Sequence, residues 1–277
     1  MQDKSLFKNL WRGIKGRIAG LFYNPYKKAG LNWVTVKYYK HLAPGKLRQH
    51  KLFNKTVFFK NPAEFLHGID EIFIQELYKQ TLPEQSLILD CGANIGLSVI
   101  YLKRKYPDAK VIAFEPDDEN FSLLKKNVAS CELKDVSLVN KAVWTENTVL
   151  NFISEGTMSS KIDNSQESGT GNKIEAINLG DFLDKKIDFL KIDIEGAEYA
   201  VLKSAGAKLN MVTNLFLEYH GKYTEIAQLT DLLSILTKSG FTYYIKEAAE
   251  IYPTPFLRTN KNRSEYDVQL NIFCFRV

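Results

Sequence analysis

Cysteine is scarce in this sequence, and long apolar runs are missing from it. The three cysteines, Cys91, Cys131 and Cys274, are too few and too widely spaced for a disulfide framework or a zinc site. Cys91 and Cys274 lie in apolar, strand-like runs, which indicates buried free thiols. No uninterrupted apolar stretch reaches the roughly 18 residues of a membrane-spanning helix, and charges recur too often for a signal peptide. These absences predict a cytoplasmic globular protein.

Acidic residues are nearly missing from the first 60 positions, where Asp3 stands against 14 lysines and arginines. The whole chain has a formal net charge of +5, so the remainder is net negative. A basic segment joined to an acidic body indicates an anionic partner. We therefore divide the chain into a basic N-terminal arm, residues 1–60, and one larger domain, residues 61–277.

The start of this arm has apolar residues at three- and four-residue steps, which predicts an amphipathic helix over residues 4–22. Asn24-Pro25 ends the helix, because the residue before a proline disfavours helical backbone. Three interpretations are open. In the first, the apolar stripe packs on the larger domain or on a second subunit of a homodimer. In the second, the helix lies in the interface of an anionic membrane. In the third, its charges bind nucleic acid, although no recognition module accompanies them.

From about Ser86 onward, strand-like and helix-like segments alternate. The predicted strands are 87–90, 111–115, 136–140, 189–193, 215–218, 241–245 and 269–277. The predicted helices are 95–105, 119–129, 197–204 and 225–239. Apolar runs without alternation indicate strands buried on both faces, and the intervening helices make the sheet mostly parallel. The predicted fold is α/β, Rossmann-like and doubly wound, with ligands at the carboxyl ends of the strands.

The segment Leu87–Ser98, LILDCGANIGLS, ends the first of these strands with a carboxylate and a glycine loop. Gly92 and Gly96 permit a tight turn and the close approach of a ligand. The third glycine of the dinucleotide fingerprint is missing, and the Asp90 carboxylate favours a cationic or amine-bearing ligand over a pyrophosphate. Glu115, at the end of the second strand, is placed to bind both hydroxyls of a ribose. A ribose joined to a cationic amino-acid group describes S-adenosylmethionine.

Four motifs, LDCGANIG, AFEPDDENF, LVNKAVW and FLKIDIEGAEYAVL, resemble in this order the FkbM family of S-adenosylmethionine-dependent class I methyltransferases. The resemblance runs from about Phe65 to Tyr219 and leaves the arm outside. It implies a seven-stranded sheet with an antiparallel last strand, and methylation of hydroxyl groups on sugars or polyketide-like products. By position it implies that the methionine end of the cofactor is held by Asp90, Gly92, Ala93, Asn94 and Gly96. It further implies that Glu115 holds the ribose and that Pro116 turns the chain past the adenine, which Asn140, Lys141 and Ala142 contact.

The motif KIDIEGAEYAVL ends the fourth strand with Asp193 beside the first strand, where the transferred methyl group must emerge. A general base assists attack by a hydroxyl, and the candidates are Asp193, Glu218 and His220. Alternatively, His220 is an ordinary histidine of a surface loop. Glu195 and Glu198 are alternatively residues that only start the next helix. The carboxylates of Asp193, Glu195 and Glu218 are also candidate ligands of a divalent metal, whose use the spacing leaves open.

The stretch Ile153–Lys173 is rich in Ser, Gly, Asn and Thr, which predicts a mobile surface loop able to cover an acceptor. Within it, Ser159 and Ser160 are either acceptor contacts or ordinary solvated residues.

The sequence thus predicts a cytoplasmic S-adenosylmethionine-dependent O-methyltransferase. Its acceptor would be a hydroxyl of a sugar, glycan or glycoconjugate precursor, with peripheral contact to the inner face of the membrane. Two alternatives stay open. One is a nicotinamide-dependent oxidoreductase that uses Glu115 for the ribose. The other is a non-catalytic membrane- or nucleic-acid-binding protein with a vestigial cofactor fold.

Overall fold

A computed structural model describes residues 24–153, 161–163, 172–258 and 264–277. The helix expected over residues 4–22, and Ser159 and Ser160, lie outside the described residues. Within the described ranges, no helix is both long enough and apolar enough to cross a membrane.

The central element of the fold is a seven-stranded sheet. The strands are, in chain order, β1 (Arg48–Leu52), β2 (Lys55–Phe59), β3 (Leu87–Cys91), β4 (Lys110–Phe114), β5 (Val136–Val139), β6 (Ala142–Trp144), β7 (Thr148–Ile153), β8 (Lys161–Asp163), β9 (Asn172–Asn178), β10 (Ile187–Ile192), β11 (Val212–Gly221), β12 (Thr242–Glu247) and β13 (Val268–Phe275). The central sheet has the order β12-β13-β11-β10-β3-β4-β5. Only β13 runs antiparallel to its neighbours. The predicted seven-stranded α/β sheet with an antiparallel last strand is confirmed.

Helices cover both faces of this sheet. They are α1 (Trp33–Lys40), α2 (Pro62–Gly68), α3 (Leu97–Lys105), α4 (Asp118–Ser130), α5 (Glu198–Ala205) and α6 (Ile226–Lys238). A π-helical turn, Ile69–Ile74, continues α2. Buried residues of α3 and α4 pack with Ile88 on one face, while those of α5 and α6 pack with Leu190 on the other. Because both faces are covered, all six residues of β10 are buried, which explains the apolar runs without alternation.

Several predicted element ends were wrong. The fifth strand was expected over 215–218, but β11 extends over Val212–Gly221 because β13 pairs with it as far as Gly221. His220 therefore lies within a strand rather than beyond one, and Glu218 is not the last residue of the strand. The fourth strand ends at Ile192, so Asp193 begins the following loop.

The segment after Asn24 packs closely on the larger domain. Leu31 and Val36 are buried in the same cluster as the residues of α3 and α4. The hairpin β1–β2 is held by Asn127 of α4, whose side chain donates to the carbonyl of Phe58 at 2.9 Å and accepts its N–H at 2.6 Å. This part of the basic arm thus shares the hydrophobic core beside α3 and α4.

A second sheet of four strands, in the order β6-β9-β7-β8, lies between β5 and β10 in the chain. It corrects the prediction of a loop over Ile153–Lys173, since residues 161–163 and the start of β9 belong to strands. Backbone hydrogen bonds between β7 and both β8 and β9 form these strands despite their polar composition. Cys91 and Cys274 are buried free thiols, as predicted, and Cys131 is a buried free thiol as well.

Candidate functional site

A cavity of about 270 Å³ lies at the carboxyl ends of the central strands. The loops after β3, β4 and β10, the end of β11 and the helices α2, α3 and α4 all contribute to its wall. Doubly wound sheets bind ligands at this edge. The cavity is therefore the candidate site.

The loop after β3 reaches the cavity through Gly92, Ala93 and Asn94. Gly92 has a φ of 86°, and a Cβ atom at this position would lie 1.8 Å from the carbonyl oxygen of Asp193. Only glycine allows the two loops to come this close. Gly96 does not line the cavity; its missing side chain makes room for Leu124 of α4, whose Cδ1 would lie 2.6 Å from an added Cβ.

Asp90, predicted to contact the cofactor, is fully buried beneath the cavity floor. Its Oδ2 accepts a hydrogen bond of 2.5 Å from the Ser98 hydroxyl, and its Oδ1 lies 3.3 Å from the Lys191 ammonium. Ser98 and Lys191 line the cavity, whereas Asp90 does not. The carboxylate therefore acts on the cavity through these two side chains.

Lys191 is the cation at the centre of the floor. Its Nζ donates to the Gly92 carbonyl at 2.9 Å and lies 3.3 Å from the carboxylates of both Asp90 and Asp193. Burial by itself lowers the pKa of Lys191, but the charges of Asp193 and Asp90 outweigh burial and hold the pKa well above its ordinary value. The alternation of K-I-D along the chain accounts for this pairing, because it places Lys191 on the same side as Asp193.

Glu115 lies just behind the cavity wall. Its Oε2 accepts the N–H of Asn94 at 2.8 Å, and its Oε1 accepts the N–H of Asp117 at 2.9 Å. Burial raises its pKa to about 7, and the two hydrogen bonds oppose that shift. The side chain thus joins the loops after β3 and β4, both of which reach the cavity.

The four residues predicted near the adenine do not line the cavity; they are Pro116, Asn140, Lys141 and Ala142. Asn140 donates from Nδ2 to the carbonyls of Glu115 and Pro116, at 3.0 and 3.2 Å. Lys141 forms an ion pair of 2.7 Å with Glu175, and Ala142 is buried in β6. The wall beyond Glu115 is built instead from a set that follows β4, namely Asp117, Glu119, Asn120 and Leu123.

At the opposite end of the cavity, the predicted catalytic residues converge. His220 Nε2 lies 3.6 Å from a carboxylate oxygen of Glu195 and 3.6 Å from one of Glu218. Asp193, Glu195 and Glu218 line the cavity with it. The interpretation of His220 as a surface-loop residue was wrong, since only 6% of it is exposed. Three carboxyl groups and one imidazole at one end of a cavity can accept, hold or donate a proton.

Burial and mutual repulsion change the charge states of this cluster. Burial first, then neighbouring carboxylates, raises the pKa of Glu195 and of Glu218 to about 8. Burial lowers the pKa of His220, but the charges of Glu198, Glu195 and Glu218 and a hydrogen bond to Glu198 outweigh it, raising the pKa to about 10. At neutral pH the imidazole therefore carries a proton on each nitrogen.

Glu198 contacts this cluster but does not line the cavity. It is fully buried at the first residue of α5, in agreement with a helix-start position. Its Oε1 accepts the backbone N–H groups of Ile194 and Gly196, at 3.1 and 3.0 Å, and lies 3.2 Å from His220 Nδ1. One carboxylate thus orients both the Asp193–Gly196 loop and the imidazole.

The same cluster fits a divalent cation by distance. Asp193, Glu195 and His220 each offer a ligand atom, and these atoms lie within 4.8 Å of one another. Carboxylate oxygens with one imidazole nitrogen suit several divalent transition metals. An imidazole that carries a proton on both nitrogens cannot bind a metal. A metal ion and the doubly protonated His220 are therefore mutually exclusive here.

Sequence reasoning missed the wall formed by α2 and the π-helical turn. His67 and Glu71 face the cavity, with His67 Nε2 3.2 Å from the Glu71 carboxylate. This hydrogen bond raises the pKa of His67. Asn61-Pro62 does signal a helix start, but no local pattern indicates that this helix covers the carboxyl edge of a sheet.

Residues 90–243 match the Methyltransferase FkbM domain family, more than half of the chain. Methyltransferase 1 of Beauveria bassiana is 31% identical over 177 residues, which cover 52% of this chain and 70% of that protein. Methyltransferase sdnD of Sordaria araneosa is 29% identical over 197 residues, which cover 57% of this chain and 75% of the relative.

Among solved structures, Methyltransferase FkbM from Methylobacillus flagellatus is similar with a TM-score of 0.47 and 17% identity, over 73% of this chain and 47% of that one. The chain thus spans about half the length of that structure. A putative methyltransferase from Streptococcus mutans, solved in complex with SAH, has a TM-score of 0.44 and 12% identity, over 79% and 99% of the two chains. On the extent of the family match, this chain belongs to the FkbM family and is a methyltransferase.

Proposed function

We propose that this methyltransferase transfers the methyl group of S-adenosylmethionine to a hydroxyl of a sugar, glycan or glycoconjugate precursor. One observation carries the proposal: two carboxyl groups able to accept a proton, Glu195 and Glu218, lie beside His220 in the same cavity as the glycine loop Gly92–Asn94. Transfer to a hydroxyl needs a base within reach of the oxygen that attacks. Sugar hydroxyls in turn are well matched by a wall rich in carboxylates, which accept their hydrogen bonds.

The end of the cavity near the glycine loop is the proposed cofactor site. Lys191 and the backbone of Gly92–Asn94 would hold the methionine part, and Asp117 and Asn120 the adenosine part. Each oxygen of Glu115 has further lone pairs beyond its bond to a backbone N–H, so this residue stays a predicted ribose ligand. When bound, S-adenosylmethionine supplies a methyl group activated by the neighbouring sulfonium.

The proposed reaction balances without any further reagent. The acceptor oxygen bonds to the methyl carbon as the bond from carbon to sulfur breaks, and the hydroxyl proton passes to a carboxylate. Glu195 and Glu218 both suit this role, because a base with a pKa of about 8 is matched to work near neutral pH. We assign the role to Glu218, near the end of β11. His220, protonated at that pH, would orient Glu195 and Glu218 rather than accept the proton itself.

Calorimetry and a transfer assay together test the proposal. We expect S-adenosylmethionine to bind and NAD not to bind, and labelled methyl groups to reach sugars that bear free hydroxyls. Binding of NAD with turnover of its nicotinamide would favour the oxidoreductase instead. Transfer only to amines, with no ether product by mass spectrometry, would overturn the hydroxyl acceptor while leaving the methyltransferase in place.

A further inference from the structure

Helix α1 turns apolar side chains toward solvent. Trp33, Val34 and Tyr38 are 67%, 68% and 60% exposed. These positions lie on one side of the helix, and Val36 and Tyr39 on the other side are buried in the core. The helix thus has a second, largely apolar face that the described part of the chain leaves exposed, which we call the α1 face: Trp33, Val34, Lys37 and Tyr38.

The charged side chains of helix α1 itself, Lys37 and Lys40, are both basic. Lys37 lies on the α1 face, with its Nζ 5.3 Å from the centroid of the Trp33 ring, and Lys40 is exposed at the end of the helix. From residue 24 to residue 60 the sequence has nine lysines and arginines and no acidic residue. The chemistry complementary to such a surface is an anionic layer with an apolar interior.

Two segments next to helix α1, namely α2 and the loop that follows α1, also form part of the cavity wall. Tyr39, on the buried side of α1, packs on Phe65 of α2 with ring centroids 6.1 Å apart, and α2 also carries His67 of the cavity wall. The loop that follows α1 contributes Pro44 and Gly45 to the same wall. A surface that contacts α1 is therefore held near the cavity.

We propose that the α1 face docks on an anionic lipid surface, with Trp33, Val34 and Tyr38 in the interface and the lysines at the headgroups. Tryptophan and tyrosine suit this position because each has an apolar ring and one polar group. The inference rests on α1 alone and is independent of the proposed acceptor. One short helix binds weakly, and stable anchoring needs a second contact, which the predicted helix over residues 4–22 would supply.

The fluorescence of Trp33 tests this docking in the full chain. The chain has three tryptophans, so Trp11→Phe with Trp144→Phe leaves Trp33 as the one reporter. With vesicles of phosphatidylcholine and phosphatidylglycerol, we expect its emission to shift to the blue and to be quenched by lipids brominated in the acyl chain. High salt or vesicles of phosphatidylcholine alone should abolish both effects. If Trp33 stays as accessible to acrylamide with anionic vesicles as without them, the proposal is overturned, even where the protein sediments with the vesicles.

Two matched substitutions separate docking from general surface effects. Tyr38 and Tyr244 are 60% and 61% exposed, on α1 and on β12. Tyr38→Ser should weaken vesicle binding about tenfold, the loss expected when a large side chain no longer enters the interface, and Tyr244→Ser should not change it. Likewise Lys37→Glu should weaken binding and Lys246→Glu, on β12, should not. Cofactor binding should be equal in all four variants, because none of these residues lines the cavity.

Other occupants of the α1 face give distinct results. Equal vesicle binding by the Tyr38→Ser and Tyr244→Ser variants would overturn the proposal. A blue shift of Trp33 that grows with protein concentration and without lipid would assign the face to a second copy of the chain instead. Protection of Trp33 that depends on residues 1–23 and not on lipid would assign it to the arm.

Discussion

Glu198 and His220 form a buried pair, with 3.2 Å between Glu198 Oε1 and His220 Nδ1. The same carboxylate oxygen accepts the N–H groups of Ile194 and Gly196. The imidazole is thereby held with Nε2 toward Glu195 and Glu218. A single side chain that contacts no ligand thus sets the geometry of the cluster that His220 forms with Glu195 and Glu218.

This pairing makes Glu198 a positioning residue, and Glu198→Gln tests it. We expect kcat to fall roughly tenfold or more while the Kd of S-adenosylmethionine changes little, since lost orientation affects the proton step. NMR titration should show the pKa of His220 falling from about 10, because the charge of Glu198 raises it. Glu225→Gln, at an exposed carboxylate before α6, is the control. An unchanged pKa of His220 in Glu198→Gln would show that Glu198 does not interact with the imidazole.

Two glycines with similar backbone allow a matched steric test. Gly92 and Gly45 have φ values of 86° and 94°, but an added Cβ at Gly45 meets no atom within 4 Å. Both alanine substitutions incur about 1–2 kcal/mol for left-handed backbone. Gly92→Ala must also displace the Asp193 loop, so we expect a clearly lower Tm for this variant than for Gly45→Ala. Equal Tm values for the two variants would contradict the close approach of the loops.

The raised pKa of Glu218 predicts the pH dependence of turnover. If Glu218 is the base, kcat should rise with pH to a plateau above about 8, because only the deprotonated carboxylate accepts a proton. Glu218→Gln should lower kcat by roughly 10²–10⁴-fold and remove this rise. Glu225→Gln, at an exposed carboxylate that does not line the cavity, is the control. A rise that persists in the Glu218→Gln variant would assign the base to another residue.

The same shifts predict how stability changes with pH. The pKa values of Glu195 and Glu218 rise from 4.5 to about 8 on folding, so the folded state binds more protons between these values. The stabilisation of the folded state that comes from these two groups is complete below about pH 4.5 and is lost as the pH rises through about 8. The free energy of unfolding should therefore decrease over this window, and replacing both with glutamine should flatten the decrease. Urea unfolding at several pH values measures it, and an unchanged slope would argue against burial of the two carboxyl groups.

Glu115→Ala is expected to weaken S-adenosylmethionine binding by tenfold or more. The change removes hydrogen bonds to the N–H groups of Asn94 and Asp117, along with the predicted bonds to ribose. Lys141→Ala is the control, because Lys141 pairs with Glu175 and does not line the cavity. Calorimetry compares the two. Weaker binding in Lys141→Ala alone would restore the adenine role that the sequence predicted for Lys141.

Removal of divalent metal tests the charge state of His220. A protonated His220 imidazole is positively charged and would repel a metal ion at this place. We therefore expect a chelator to leave turnover at neutral pH unchanged. Addition of Mn²⁺ should also leave the His220 resonances unbroadened. Loss of activity with the chelator, restored by Mn²⁺, would instead make Asp193, Glu195 and His220 the metal ligands.

The sequence by itself determined the sheet and the approximate place of the site. Apolar runs, glycines and strand-end carboxylates are local signals, and parallel strands bring their carboxyl ends to one edge whatever the details of packing. Gly92, Asp193 and Glu218 were placed at the cavity for this reason. Residues 4–22 lie outside the described part of the chain, so their membrane role stays a prediction.

Only the tertiary structure decided which of these side chains line the cavity. Asp90 lies beneath Lys191, and Glu115 lies behind Asn94 and Asp117, although both acids end strands as predicted. The burial of His220 depends on the pairing of β11 with β13 and on Glu198 in another element. Such relations join residues far apart in the chain, and their distances depend on register and packing, which no local pattern of residues encodes.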